Sequence, residues 1–549
     1  MDVTTAWVKP PRQIGGLDHL AVQAPCINIY GRLLPGITNV TDRARYYSFY
    51  PWLIWALEQA GYTSHDDRFI DAFRKADGLF TLIAHRHADT AGGEHEHHAG
   101  ATVGSANLAE HISKIKAGGT VTLADYAHRS GSPQPYFKNK LGGLGQYYLG
   151  VLAELSILDG TSSTGIRYTR QLGLPLAQAM DQGVRSDLFI QTLEEGKVSA
   201  DRLDELHVFC PCQLRESAVE MELLRKLFFA QDLYQDPEAS PRQRTLGMLL
   251  DLGDALSEQG LPLNSIHFRG CVYSGAMPNG EPWMMPDNLA KMGGLWGVYE
   301  RNELLSISIQ GLFYAVLDAY AESGLALPNG TAIARWFVQE SGELTPVGDV
   351  FPLDSGFSTL VAASGEWLPK YQAWGNELHE VAQAEQVVAL CKAEKSVVNR
   401  ARIIEAALRV LIGLAAREET LKGYDSIVFP TNYLHAYPIN LGALLAHLES
   451  NWPKMRLDEL LVWLFSKWGI DAHLQVALRK LRGQSQSTFR IRPSDKGLEV
   501  VDIPAAVHTS PRFNQAVRVL KDLDLLTDNG DTTHCSSAGM HYKEVAIGN

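Results

Sequence analysis

Leu33–Ala60 reads LLPGITNVTDRARYYSFYPWLIWALEQA, and its interpretation decides the fold. Pro35 and Gly36 punctuate it with a turn, and Asn39 or Thr41 offers a cap for a following helix. Asp42 then falls in the first turn, where the helix dipole favours an acid. Tyr46, Tyr47, Phe49, Tyr50, Trp52 and Trp55 come next, with Pro51 among them, so a bent helix or two short ones is expected. So much aromatic area within a few turns belongs in the core of an N-terminal domain. Arg43 and Arg45, at its edge, are placed to reach a phosphate or a buried acid.

Helical text continues outward on both sides. Phe69, Phe73, Leu79, Phe80 and Ile83 form an apolar stripe at helical spacing. Similar patterns recur through the middle of the chain, punctuated by Gly and Pro, without a fixed-period repeat or a long heptad array. The expected fold is mainly α (α+β), multidomain and helical, with winged-helix-like modules. Composition and pattern suggest segments at 1–105, 106–184, 185–340, 341–365 as a connection, 366–450 and 451–549. A short strand is expected around Cys26 to Tyr30. Between 106 and 184, a helix, a turn at Asp159-Gly160, a short basic strand and another helix follow the order of a winged helix, its wing carrying Arg167 and Arg170. In 451–549, two helices split near Gly469, an alternating hairpin turns at Ser494–Gly497, and a helix starts at Pro511 with Ser510 as its cap.

The 549 residues carry 49 Lys+Arg against 62 Asp+Glu, a formal net charge of -13, which excludes a globally basic nucleic-acid coat protein. A local basic face remains compatible with that balance. The first residues show no apolar secretory segment, and no apolar run reaches bilayer-spanning length, so a cytoplasmic protein without a membrane partner is expected. Six cysteines in this length are too few for a disulfide scaffold.

Three groups of residues could carry function. Basic residues concentrate near the C-terminus. Arg490, Arg492, Lys496, Arg512, Arg518 and Lys521, with Arg167 and Arg170 as a second contact, are the candidate nucleic-acid-binding set, duplex DNA being the expected polyanion. His85, His87, His95, His97 and His98 crowd beside Asp89, Glu94 and Glu96. Imidazoles and carboxylates suit Zn²⁺, yet the spacing fits no defined metal motif and reads as an exposed loop. Cys210-Pro211-Cys212 near His207 provides two thiols with no second pair in view, which reads as packing. P-loop, dinucleotide, HExxH and nucleophile-elbow patterns are absent. A non-enzymatic protein without a cofactor is therefore expected.

LPGITNVTDRARYYSFYPW, followed by FRKADGLFTLIA and GATVG, resembles an uncharacterised bacterial protein family encoded near mobile-element and phage-defence genes. The resemblance covers about the first hundred residues. It implies a bacterial origin and membership of a multi-gene system. Together these readings lead to a nucleic-acid-binding recognition or assembly subunit with protein partners in a complex. The alternatives are a protein-interaction scaffold, or a metal-dependent hydrolase or nuclease using the histidine cluster.

Overall fold

The computed structural model describes residues 18–64, 66–92, 95–124, 137, 139–161, 165–420, 437–484 and 487–548. Among the described residues helix accounts for 63% and strand for 7%, and the strands form only two-stranded antiparallel sheets, so helix packing must supply the cores. The chain divides into two compact units, neither of them continuous in sequence. One comprises residues 1–30, 266–284 and 293–511; the other comprises 31–265, 285–292 and 512–549. Within the region expected to be a single C-terminal module, Arg490, Arg492 and Lys496 belong to the first unit. Arg512, Arg518 and Lys521 belong to the second.

In the second unit the aromatic stretch forms one helix, Tyr46–Gln59, which runs through Pro51 without a break. Its start differs from the sequence expectation. Thr41 closes a local turn by accepting the Thr38 N–H at 2.7 Å, and Arg45 precedes the helix without a side-chain cap. Tyr46, Tyr47, Phe49, Tyr50 and Trp52 are all buried. Phe49 lies 4.2 Å from Phe80 between ring centroids, fastening this helix to Asp67–Thr90, whose expected apolar stripe is buried throughout. Trp52 stacks at a tilt on Phe209, 5.0 Å away, just before Cys210.

The hairpin expected after Asp159-Gly160 is present, pairing Leu158–Thr161 with Gly165–Tyr168 and leading to the helix Gly173–Gly183. A second hairpin, Leu526–Asn529 with Thr532–Cys535, follows the helix Phe513–Asp522. That helix begins at Phe513 rather than at Pro511, because Arg512 takes a left-handed conformation with φ 62°.

The other unit is built around Asp287–Ser323, most of which lies within it. This helix is long and apolar enough to cross a membrane, but 89% of its apolar window is buried inside the chain's own fold, as in a core helix. Cys26–Tyr30 lies in the helix Gln23–Leu33, not in a strand. Asp18 explains the helix: its carboxylate accepts the N–H groups of Val22, Gln23 and Ala24, each at 3.0 Å, satisfying donors that a helix start leaves open. Leu457–Trp463 continues through a π-helical segment, Leu464–Asp471, into Ala472–Gln484, so Gly469 does not separate two helices. The 341–365 stretch, expected as a connection, contains the short helices Thr345–Gly348 and Phe357–Ala363 inside this unit.

Candidate metal centre

Two sequence features that look incomplete separately meet in the second unit. His87 projects from the Asp67–Thr90 helix near its C-terminal end. His98 ends the short helix His95–His98, so part of the stretch expected as an exposed loop is folded and its last histidine is buried. Cys210 and Cys212 flank Pro211 at a junction of two 3-10 turns. One donor atom from each of these four residues lies within 4.8 Å of every other.

The separations suit a tetrahedral ion. Zn–S bonds of about 2.3 Å and Zn–N bonds of about 2.0–2.1 Å place ligand atoms roughly 3.3–3.8 Å apart at tetrahedral angles. Here Cys212 Sγ is 3.3 Å from His87 Nδ1 and 3.4 Å from Cys210 Sγ, while Cys210 Sγ is 3.9 Å from His98 Nδ1. Two thiols and two imidazoles are a donor set that Zn²⁺ takes in closed structural sites.

Surrounding groups orient these donors. His98 Nε2 lies 3.2 Å from the Gly92 carbonyl, which can only accept. The proton therefore sits on Nε2, leaving the Nδ1 lone pair for the metal. Gln213 Nε2 donates to Cys212 Sγ at 3.6 Å. Ala84, Ala88 and Ala99 pack around the two cysteines and give a small, dry wall. Without an ion, the hydrogen bond with Cys210 makes Cys212 the more acidic thiol, whereas burial raises Cys210. Bound Zn²⁺ would take both as thiolates.

Arg43 and Arg45 brace the two halves of the candidate centre, and each also reaches a carboxylate. Arg43 Nη1 donates to the Gly100 carbonyl at 2.9 Å, and its Nη2 to the His97 carbonyl at 2.9 Å. Its remaining edge pairs with Asp522, through Nε at 2.9 Å and Nη2 at 3.0 Å. Arg45 Nη1 donates to the carbonyls of Val208 at 2.7 Å and Cys210 at 2.6 Å, while Nε and Nη2 engage Glu220. One guanidinium thus fixes the histidine turn and the other fixes the cysteine loop. Gly100 is required in that turn, since a Cβ there would lie 2.6 Å from the Glu96 carbonyl oxygen.

The remaining histidines of the run stand outside this set. His85 and His95 lie close, with ring nitrogens 3.3 Å apart, and His85 Nε2 contacts Ser105 Oγ at 3.0 Å. Burial, followed by His95, lowers the His85 pKa to about 4. His97 supplies its backbone carbonyl to Arg43 instead of a ring nitrogen to the tetrad. His207 approaches His87 with ring centroids 5.6 Å apart, while its Nδ1 contacts the Asp204 carbonyl.

Several of the candidate phosphate-binding cations have partners within the fold. Arg490 is 4% exposed and pairs with Asp502 at 2.7 Å. Arg512 donates to the Leu34 carbonyl, Arg518 pairs with Asp42 at 3.0 Å, and Lys521 pairs with Asp528 at 2.7 Å. Arg492 lies 3.6 Å from Glu499, with both side chains more than half exposed. Lys496, Arg167 and Arg170 are exposed, and Arg167 stands directly across its hairpin from Asp159. Compared with family models, curated proteins and solved structures, the chain matches none, so its functional reading rests on this geometry.

Proposed function

We propose that the protein is a non-catalytic assembly subunit, a protein-interaction scaffold whose second unit is locked by a structural zinc ion on His87, His98, Cys210 and Cys212. The tetrad carries this reading. Four protein donors complete a tetrahedral shell and leave no position for a substrate or a nucleophilic water, unlike hydrolytic sites with three protein ligands. Pairing of most candidate cations with carboxylates or carbonyls favours a scaffold over a phosphate-binding surface. The reading places the subunit in the cytoplasm within a bacterial multi-gene, antiviral-type system.

Elemental analysis of untagged protein tests it, with one zinc per chain expected and lost in Cys210→Ser/Cys212→Ser. Zinc well below stoichiometry, or metal-dependent hydrolysis by the purified chain, overturns the structural-zinc reading. Partners retained through nuclease treatment are expected for the scaffold role; partners released by nuclease refute it.

A second reading keeps duplex DNA as a partner through winged-helix-like modules. Its support is the helix–hairpin–helix order around Leu158–Tyr168, with Arg167 and Arg170 exposed. Binding by phosphate contacts should weaken steeply with salt and fall in Arg167→Ala/Arg170→Ala. A salt-independent or absent response refutes that role. The second hairpin favours it less, since Asp528 and Asp531 lie at or beside its turn and would repel a phosphate backbone.

A further inference from the structure

The first unit contains a cavity of about 300 Å³, none of whose lining residues belongs to the unit of the proposed zinc ligands. Its wall combines an apolar body, Leu20, Phe313 and Pro504, with a polar end at His19, Arg490 and Asp502. That volume is at the small end of ligand pockets, roughly 300–1,000 Å³, so a compact ligand is implied.

The polar end has an unequal ion pair. Arg490 is 4% exposed, whereas Asp502, 2.7 Å away, is 54% exposed. Arg490 is held at both ends: its backbone N–H donates to His473 Nε2 at 2.8 Å, and its guanidinium Nε lies 3.4 Å from His19 Nδ1. His473 Nδ1 contacts the His19 carbonyl at 3.1 Å, tying both imidazoles into the same wall. A rigid buried cation therefore faces a carboxylate held at the rim.

Burial first, then Arg490, His473 and Lys480, lowers the His19 pKa to about 3, so its imidazole is neutral and leaves Arg490 as the cation of this wall. Asp18 also lines the cavity, but its carboxylate is occupied by three backbone N–H groups at the start of the Gln23–Leu33 helix. Gln310 holds the rim by accepting the Val507 N–H at 3.1 Å and donating to the Val507 carbonyl at 3.2 Å.

We propose that this cavity binds a small organic carboxylate. Its acid head takes the place of Asp502 on Arg490, and its apolar body lies against Leu20, Phe313 and Pro504. Asp502 is then a built-in competitor that swings into solvent when ligand enters. Arginine suits this exchange because its planar fork accepts one carboxylate as readily as another.

Calorimetric titration of the full chain tests the proposal, using benzoate, phenylacetate and hexanoate beside their uncharged amides. One carboxylate per chain should bind, with the matched amide at least about tenfold weaker. Asp502→Asn should tighten carboxylate binding by roughly three- to tenfold, because the competitor loses its charge. Arg490→Gln should abolish binding, and circular dichroism would establish that this variant folds. Binding detected only in Asp502→Asn supports the same exchange. Equal affinity for acids and amides, weaker binding in Asp502→Asn, or no carboxylate binding by either the parent or Asp502→Asn overturns it.

Discussion

Both units bury guanidinium groups, but they use them differently. In the second unit, Arg43 and Arg45 each divide their donors between one carboxylate and backbone carbonyls beside the candidate metal ligands. In the first, charge is returned to charge. Arg269 meets Glu300 at 2.7 Å and Glu385 at 2.5 Å, while Arg400 meets Asp318, Glu322 and Glu343. A guanidinium surrounded by carboxylates holds side chains together. One sharing its fork with carbonyls also sets the path of the main chain, which a metal centre assembled from loops requires.

The largest expected effect follows from removing the proposed zinc ion. Structural zinc contributes binding free energy directly to folding, about 10–16 kcal/mol in small zinc domains. Cys210→Ser/Cys212→Ser, or a strong chelator, should make residues 31–265 protease-sensitive before 293–511, as read by mass spectrometry of the fragments. Uniform digestion of both units would erase the contrast between them.

Arg45→Met should come next. It leaves Glu220 buried without its cation, a loss of about 3–5 kcal/mol in denaturant unfolding. Arg269→Met should cost a similar amount by stranding Glu300. Only Arg45→Met should also weaken zinc retention in a competition with a chromophoric chelator. Equal zinc retention in the two variants would show that Arg45 does not shape the cysteine loop.

A smaller effect concerns pH in the first unit. His508 lies between Glu303, 3.3 Å from Nδ1, and Glu385, 3.2 Å from Nε2, the first contact being an ion pair without hydrogen-bond alignment. Burial and then Arg269 oppose its protonation, but the two carboxylates prevail and raise its pKa above 6.5. Its contribution to stability is therefore full below pH 6.5 and disappears as pH rises through the folded-state value. Denaturant unfolding at a series of pH values should show this decline in the parent and a flatter profile in His508→Gln. At the bottom of the scale, Lys521→Ala breaks a surface pair and should change stability by about 0–1 kcal/mol.

How much of this was legible in sequence depended on distance along the chain. The burial of the aromatic run followed from composition, and the stripe from Phe69 to Ile83 from local spacing. The acids that complete its arginines did not, because Glu220 lies 175 residues from Arg45 and Asp522 lies 479 from Arg43. The metal centre was obscured in the same way. His87 and Cys212 are 125 residues apart, and each pair of donors looked like half a motif. The available clue was complementarity, two surplus imidazoles and two surplus thiols that together make a full shell. Charge clustering near the C-terminus was visible, but sequence does not reveal that Arg490, Arg518 and Lys521 have acidic partners within the fold.

The pairing of Arg43 with Asp522 also sets a timetable for biosynthesis. At about 5–20 residues per second, the ribosome needs roughly 24–96 s to make the 479 residues separating them. For that interval the nascent chain carries a cation destined for an apolar interior while its counterion has yet to be translated. At the proposed site a zinc ion would arrive earlier, since Cys212, the last of its four ligands, is made soon after residue 200. Metal capture would then keep the growing polypeptide partly ordered until the helix Phe513–Asp522 closes the circuit.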